Sequence, residues 1–170
     1  LVDQYGEDMM LNGGLHVYTA VDMKHQLAAE ESMRQGLHDN TKRRGWHGPV
    51  DKLTPVAQKA FLDDFDMEKE ELTPGTWVQV VVSSVSDQGA KVLFGPHTGW
   101  ISVKSMSWAR EPNPLVPSMV AAAVTDARKV VEEGDLIWAS IVAEPEDDSN
   151  VWKLNLEQEP QIEGALVSID

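Results

Sequence analysis

Carboxylates are the most abundant groups able to do chemistry in this chain, and their densest run is Asp63, Asp64, Asp66, Glu68, Glu70 and Glu71. Such a run could coordinate calcium, a hard cation that takes oxygen ligands. An EF-hand loop needs glycine at its sixth position, and none stands there in a loop starting at Asp63 or Asp64. The run therefore reads as a solvated linker. Carboxylate pairs that hydrolyse glycosides need a fixed separation, which nothing in this spacing imposes. His25 and His38 stand at no metal-ligand spacing and read as solvated or capping residues. The chain has no cysteine, which excludes thiol catalysis, disulfides and zinc-thiolate sites. No cofactor, metal or catalytic residue is expected from these groups.

Six tryptophans offer faces on which sugars could stack: Trp46, Trp77, Trp100, Trp108, Trp138 and Trp152. Trp77, Trp100, Trp138 and Trp152 fall in predicted strands, where large side chains fill the interior of a small barrel. Trp46 and Trp108 fall in connecting segments and are left for other contacts.

The elements that must position these residues follow from the pattern. A strand is predicted over Leu15–Val21, then a helix capped by Asp22 from Met23 to about Leu37, with Ala29, Met33 and Leu37 stacked on one face. Asp39–Pro49 is a polar, basic connector containing Lys42, Arg43 and Arg44 and closing on Gly48-Pro49. Thr54-Pro55 opens a second helix with Ala57, Phe61 and Phe65 at four-residue intervals. From Pro74-Gly75 the period changes to two. Trp77–Val82, Ala90–Phe94 and Thr98–Val103 form a three-stranded meander, and Leu136–Ala143 and Val151–Leu156 form a hairpin around an acidic turn. A helical turn over Ser105–Arg110 and a proline-broken loop separate the two groups. This is the strand order of an OB-type barrel. The expected fold is mainly β with flanking helices.

The 170 residues are 42% hydrophobic, enough for one packed core and a smaller satellite. Acidic residues number 28 against 14 basic, and the formal charge of −14 repels nucleic acid and anionic lipid. No apolar run is long enough to cross a membrane, so neither a spanning helix nor a signal peptide is expected. Both chain ends read as excised from something longer.

Tyr5-Gly6-Glu7-Asp8, then Gly13-Gly14-Leu15-His16-Val17-Tyr18-Thr19-Ala20-Val21-Asp22 and Gln26-Leu27-Ala28-Ala29-Glu30, resemble the start of the transpeptidase domain of class A penicillin-binding proteins. Arg44-Gly45-Trp46-His47-Gly48-Pro49 is similar to a segment of their 1A-like branch, with one histidine and one arginine replaced. Gly164–Asp170 looks like the strand that returns to the transpeptidase. The resemblance implies a parent that polymerises glycan strands and cross-links peptides, with an OB-like barrel inserted between two transpeptidase-type strands. The implied division is 1–38 transpeptidase start, 39–75 connector and short helix, 76–157 OB-like domain, and 158–170 return strand. Neither the family's Ser-x-x-Lys pair nor its Lys-Thr-Gly or Lys-Ser-Gly strand occurs, so no catalytic residue is transferred.

The resemblance implies a non-catalytic regulatory or spacer domain on the periplasmic side of an inner-membrane-anchored synthase. Its partners would be the rest of that synthase and an outer-membrane lipoprotein activator or another cell-wall protein. The alternative is an S1-like OB domain binding single-stranded RNA, suggested by the cadence of Pro74–Met106; against it, the residues flanking Gly89 are not aromatic and the closing hairpin is acidic. The candidate partner-binding residues are Leu115, Val116, Met119 and Val120, in the Glu111–Val124 loop, together with Trp108. That loop is unusually apolar. Its side chains either plug the barrel between the third and fourth strands or dock a partner.

Overall fold

The computed structural model describes residues 2, 6–13, 21–65, 72–118, 120–145 and 150–164. The strands expected over Leu15–Val21 and Ala165–Ile169 lie outside the described residues, apart from Val21. Helices α1 (Glu7–Asn12) and α2 (Met23–Arg44) precede the barrel. The Asp22 carboxylate caps α2, accepting the backbone N–H groups of Lys24 and His25.

Helix α2 runs past Leu37 to Arg44, through half of the expected connector. The helix tolerates Gly36, and Lys42, Arg43 and Arg44 occupy the last turn, where cations offset the negative end of the helix dipole. Gly45 then stops the helix with φ 108°, a region that disfavours side chains. Most of α2 is exposed; Thr41, near its end, is buried.

Helix α3 (Pro55–Asp63) starts at Thr54, whose hydroxyl accepts the Ala57 N–H, with Pro55 at its first position. Phe65, expected on its next turn, lies beyond its end and packs edge-on against Phe94, ring centroids 6.0 Å apart.

Among the described residues there are six strands: β1 (Asp51–Lys52), which precedes α3, then β2 (Trp77–Val85), β3 (Gly89–Phe94), β4 (His97–Ser102), β5 (Asp135–Ala143) and β6 (Val151–Glu157). Their order is β1-β5-β2-β3-β4-β6, and β5 also pairs with β6. Five strands therefore close a barrel, with β1 added on the outside of β5. All pairings are antiparallel except β4–β6, where Thr98 faces Val151 and Ile101 faces Leu154. Register shifts between Val82 and Ser84 in β2, and between Ile141 and Ala143 in β5, bend those strands around the barrel. This is the OB-like, mainly β fold anticipated from the pattern.

Alternation decides what the barrel encloses. Val78, Val80 and Val82 of β2 enter the core with Val92, Phe94, Ile101, Ile137 and Leu154. On β4, Gly99 and Ile101 point inward, so Trp100 points outward and is exposed. This corrects the expectation that all four strand tryptophans are interior: Trp152 is buried, whereas Trp77 and Trp138 are half-buried on the outer surface. A side chain at Gly99 would collide with Leu154, which leaves no space for bulk on that side.

The barrel is plugged by residues flanking the long loop. Met106 and Ala109 enter the core from the turns after β4, and Ala127, Val130 and Val131 enter around a short 3-10 turn (Ala127–Lys129). Leu115 and Val120 are instead 89% and 74% exposed. The prolines hold the middle of the loop away from the opening, so these residues do not fill it.

Candidate functional site

The helix end, the long loop and the exit from β6 meet beside the barrel. The Glu157 carboxylate is buried, receives the Ser140 hydroxyl at 2.9 Å, and lies 2.6 Å from the Lys42 ammonium. Gln158, also buried, accepts the His47 N–H at 2.7 Å and donates to the Gly45 carbonyl at 3.1 Å. From the loop, the Trp46 N–H donates to the Arg110 carbonyl, and the Arg110 guanidinium donates to the carbonyls of Arg43 and Trp108. The last turn of α2 is thus fastened to the barrel by β6 on one side and by the loop on the other. His38 adds a stacked contact with Trp77, centroids 4.5 Å apart.

This chemistry positions and does not react. Ser140 is buried with its hydroxyl donating to Glu157, and that carboxylate is ion-paired with Lys42. Neither an attacking oxygen nor an available base results. Among the described residues no group of three or more histidines or acids could hold a metal ion. Desolvation lowers the His97 pKa below its ordinary 6.5; its ring lies against Phe94 and Trp152, at 5.2 and 5.5 Å. The exposed Lys52–Glu132 pair raises the lysine and lowers the carboxyl, each chiefly through their shared hydrogen bond.

The partner-binding candidates divide in this geometry. Leu115, Val116 and Val120 are exposed along the loop, and Met119 lies outside the described residues. Trp108 is half-buried, edge-on to Trp46 at 5.9 Å, with the Lys42 ammonium 5.6 Å from its ring centre. It belongs to the helix anchorage and lines the same cleft as Ala121–Ala123 of the loop. Trp46, expected to be free for other contacts, is in the same anchorage.

Two adjoining clefts of about 560 and 620 Å³ separate the end of α2 from the loop, and Arg43, Arg110 and Ser118 line both. Arg43, Arg44 and Arg110 were not singled out as site residues on sequence grounds. Their signal was the Lys42-Arg43-Arg44 run in a chain of net charge −14.

Comparison with known proteins agrees with this architecture. Residues 46–162 match the family model of the penicillin-binding protein OB-like domain. Penicillin-binding protein 1A of Escherichia coli K12 is 28% identical over the whole chain, and that of Vibrio cholerae is 29% identical, also over the whole chain. The chain spans only 19% and 20% of those two relatives. In fold, the crystal structure of penicillin-binding protein 1A from Haemophilus influenzae covers 94% of this chain and 21% of its own, with a TM-score of 0.55 and 20% identity. Barrel topology and a matched span of more than half the residues lead to one conclusion: the chain belongs to the penicillin-binding protein OB-like domain family.

Proposed function

We propose that this chain is a non-catalytic docking domain of a bifunctional peptidoglycan synthase, contacting another protein through the loop between its turns and the 3-10 segment. The supporting observation is the exposure of Leu115 and Val120 beside a barrel already filled without them. Apolar side chains held out by prolines lose little conformational freedom on binding, which favours their use as anchors. The parent would polymerise glycan and cross-link its peptides from an inner-membrane anchor, and this domain would sit in the periplasm. Its partner would be an outer-membrane lipoprotein activator or another cell-wall protein. Among the described residues no helix is long and apolar enough to cross a membrane, so in this reading the anchor belongs to another part of the parent.

The test is site-specific photocrosslinking in cells carrying the intact synthase. A photoreactive residue at position 115 or 120 should give one discrete adduct that is absent when the probe replaces Val56, an equally exposed residue on α3. Identical adducts from all three positions, or none from the loop, would refute the docking role.

A further inference from the structure

Cations are scarce on this chain, yet Lys42, Arg43, Arg44 and Arg110 converge on the clefts between α2 and the loop. Their commitments differ. Lys42 is paired with Glu157, and Arg110 is spent on two carbonyls. Arg43 and Arg44 are exposed and form no ion pair with a described carboxylate. Stabilising the carboxyl end of α2 accounts for part of this charge. It does not require two guanidinium groups facing a groove.

The groove also carries the features a peptide backbone needs. Val116, Pro112 and Pro114 give the first cleft an apolar wall, with Ser118 beside them. Ser107 and Ala121–Ala123 line the second, leaving room for main chain to approach closely. An isolated phosphate would engage the arginines alone and leave the Val116 and Ala121–Ala123 walls of the groove uncovered. An acidic peptide offers carboxylates to the arginines, an apolar side chain to Val116 and N–H donors to the Ser107 and Ser118 hydroxyls that line the groove. One carboxylate, Asp39, lines the second cleft, where one of its oxygens accepts the Gln35 amide, and none lines the first.

Building on the docking role proposed above, we propose that this groove binds an extended acidic segment of a partner protein, with carboxylates on Arg43 and Arg44 and an apolar side chain beside Val116. A partner is favoured over a second copy of this chain because a copy brings its whole charge of −14, whereas a partner can present a short acidic segment without a like net charge.

The experiment uses a fluorescein-labelled dodecapeptide repeating Glu-Leu-Pro, titrated into the 170-residue chain and followed by anisotropy. Saturable, salt-sensitive binding is expected, with Lys-Leu-Pro repeats not binding. The R43E/R44E double variant should weaken binding by about ten-fold or more at unchanged melting temperature. R43Q/R44Q should weaken it less, and R43K/R44K should stay near the parent; these two decide the matter if charge reversal disturbs folding. The proposal is overturned if the peptide does not bind, or if all variants bind alike. It is equally overturned if pyrophosphate, phosphatidylglycerol vesicles or polyuridylate displace the peptide and bind more tightly, or if binding is replaced by self-association in sedimentation. Persistent crosslinks from positions 115 and 120 in the R43E/R44E chain, with peptide binding absent, would leave the docking role standing and remove the groove from it.

Discussion

The Lys42 ammonium lies 2.6 Å from the Glu157 carboxylate, joining the last turn of α2 to the last residue of β6. Glu157 is only 6% exposed, so removing Lys42 leaves a buried charge with a single hydroxyl partner. Lys42→Met should cost about 1–3 kcal/mol, below the usual loss for a buried pair because the lysine side chain is one-third exposed. Adding Glu157→Gln should restore more than half of that. Urea unfolding of the single and double variants measures both, and equal destabilisation would mean that the contact acts by packing and not by charge.

Two glycines of one helix region should respond in opposite directions. At Gly36, inside α2, an added Cβ meets nothing within 4 Å, so Gly36→Ala should stabilise by about 0.5–1 kcal/mol. At Gly45 the Cβ would lie 2.5 Å from the Arg110 carbonyl oxygen, on a backbone with positive φ. Gly45→Ala should cost about 2 kcal/mol or more and loosen the helix anchorage. Thermal melts with helix content followed by circular dichroism distinguish the two.

The loop and the barrel interior should also separate cleanly. Leu115→Asp and Val120→Asp should each change stability by less than about 0.5 kcal/mol. Ile101→Ala, in the core, should cost about 2–5 kcal/mol. Unfolding caused by the loop variants would return those residues to a plugging role.

His97 gives the barrel a mild acid sensitivity. Its pKa is lowered in the folded state, so the unfolded chain binds more protons once the pH drops below about 6.5, and stability falls from there towards the lowered value. Above that range both states are neutral and the residue contributes nothing. His97→Phe should flatten this part of a plot of melting temperature against pH; an unaltered profile would assign the sensitivity elsewhere. The lowered pKa values of Asp126 and Glu132 add a separate loss at more acidic pH, as those carboxyls protonate.

Strand alternation made the barrel legible, because Val78, Val80 and Val82 must share a face and each turn carries its own breakers. The Thr54-Pro55 cap was readable for the same local reason. What sequence could not supply was competition between neighbours. Gly36 suggested an early end to α2, and its last turn is tied across the fold to Glu157 and Arg110. Strand β1 has two residues, too few for any period, and exists because β5 offers it an edge. Trp100 turned outward because Leu154 takes the space beside Gly99. Within the site, the apolar loop residues were visible in the sequence, but their exposure depended on Met106 and Val131 filling the opening first. The arginine groove joins residues far apart in the chain, and charge counting alone could not bring Arg110 beside Arg43.

Gln158 holds His47 and Gly45, so the chain enters and leaves the barrel at one point. The two segments stay together beyond that clasp: a Cβ at Gly164 would lie 3.0 Å from the Met33 sulfur. Met33 to Arg44 spans about 18 Å of helix at 1.5 Å per residue. The barrel is therefore carried on one connector, made of α2 and the segment that follows β6. Loops elsewhere on the barrel can lengthen or change sequence without altering how it is carried.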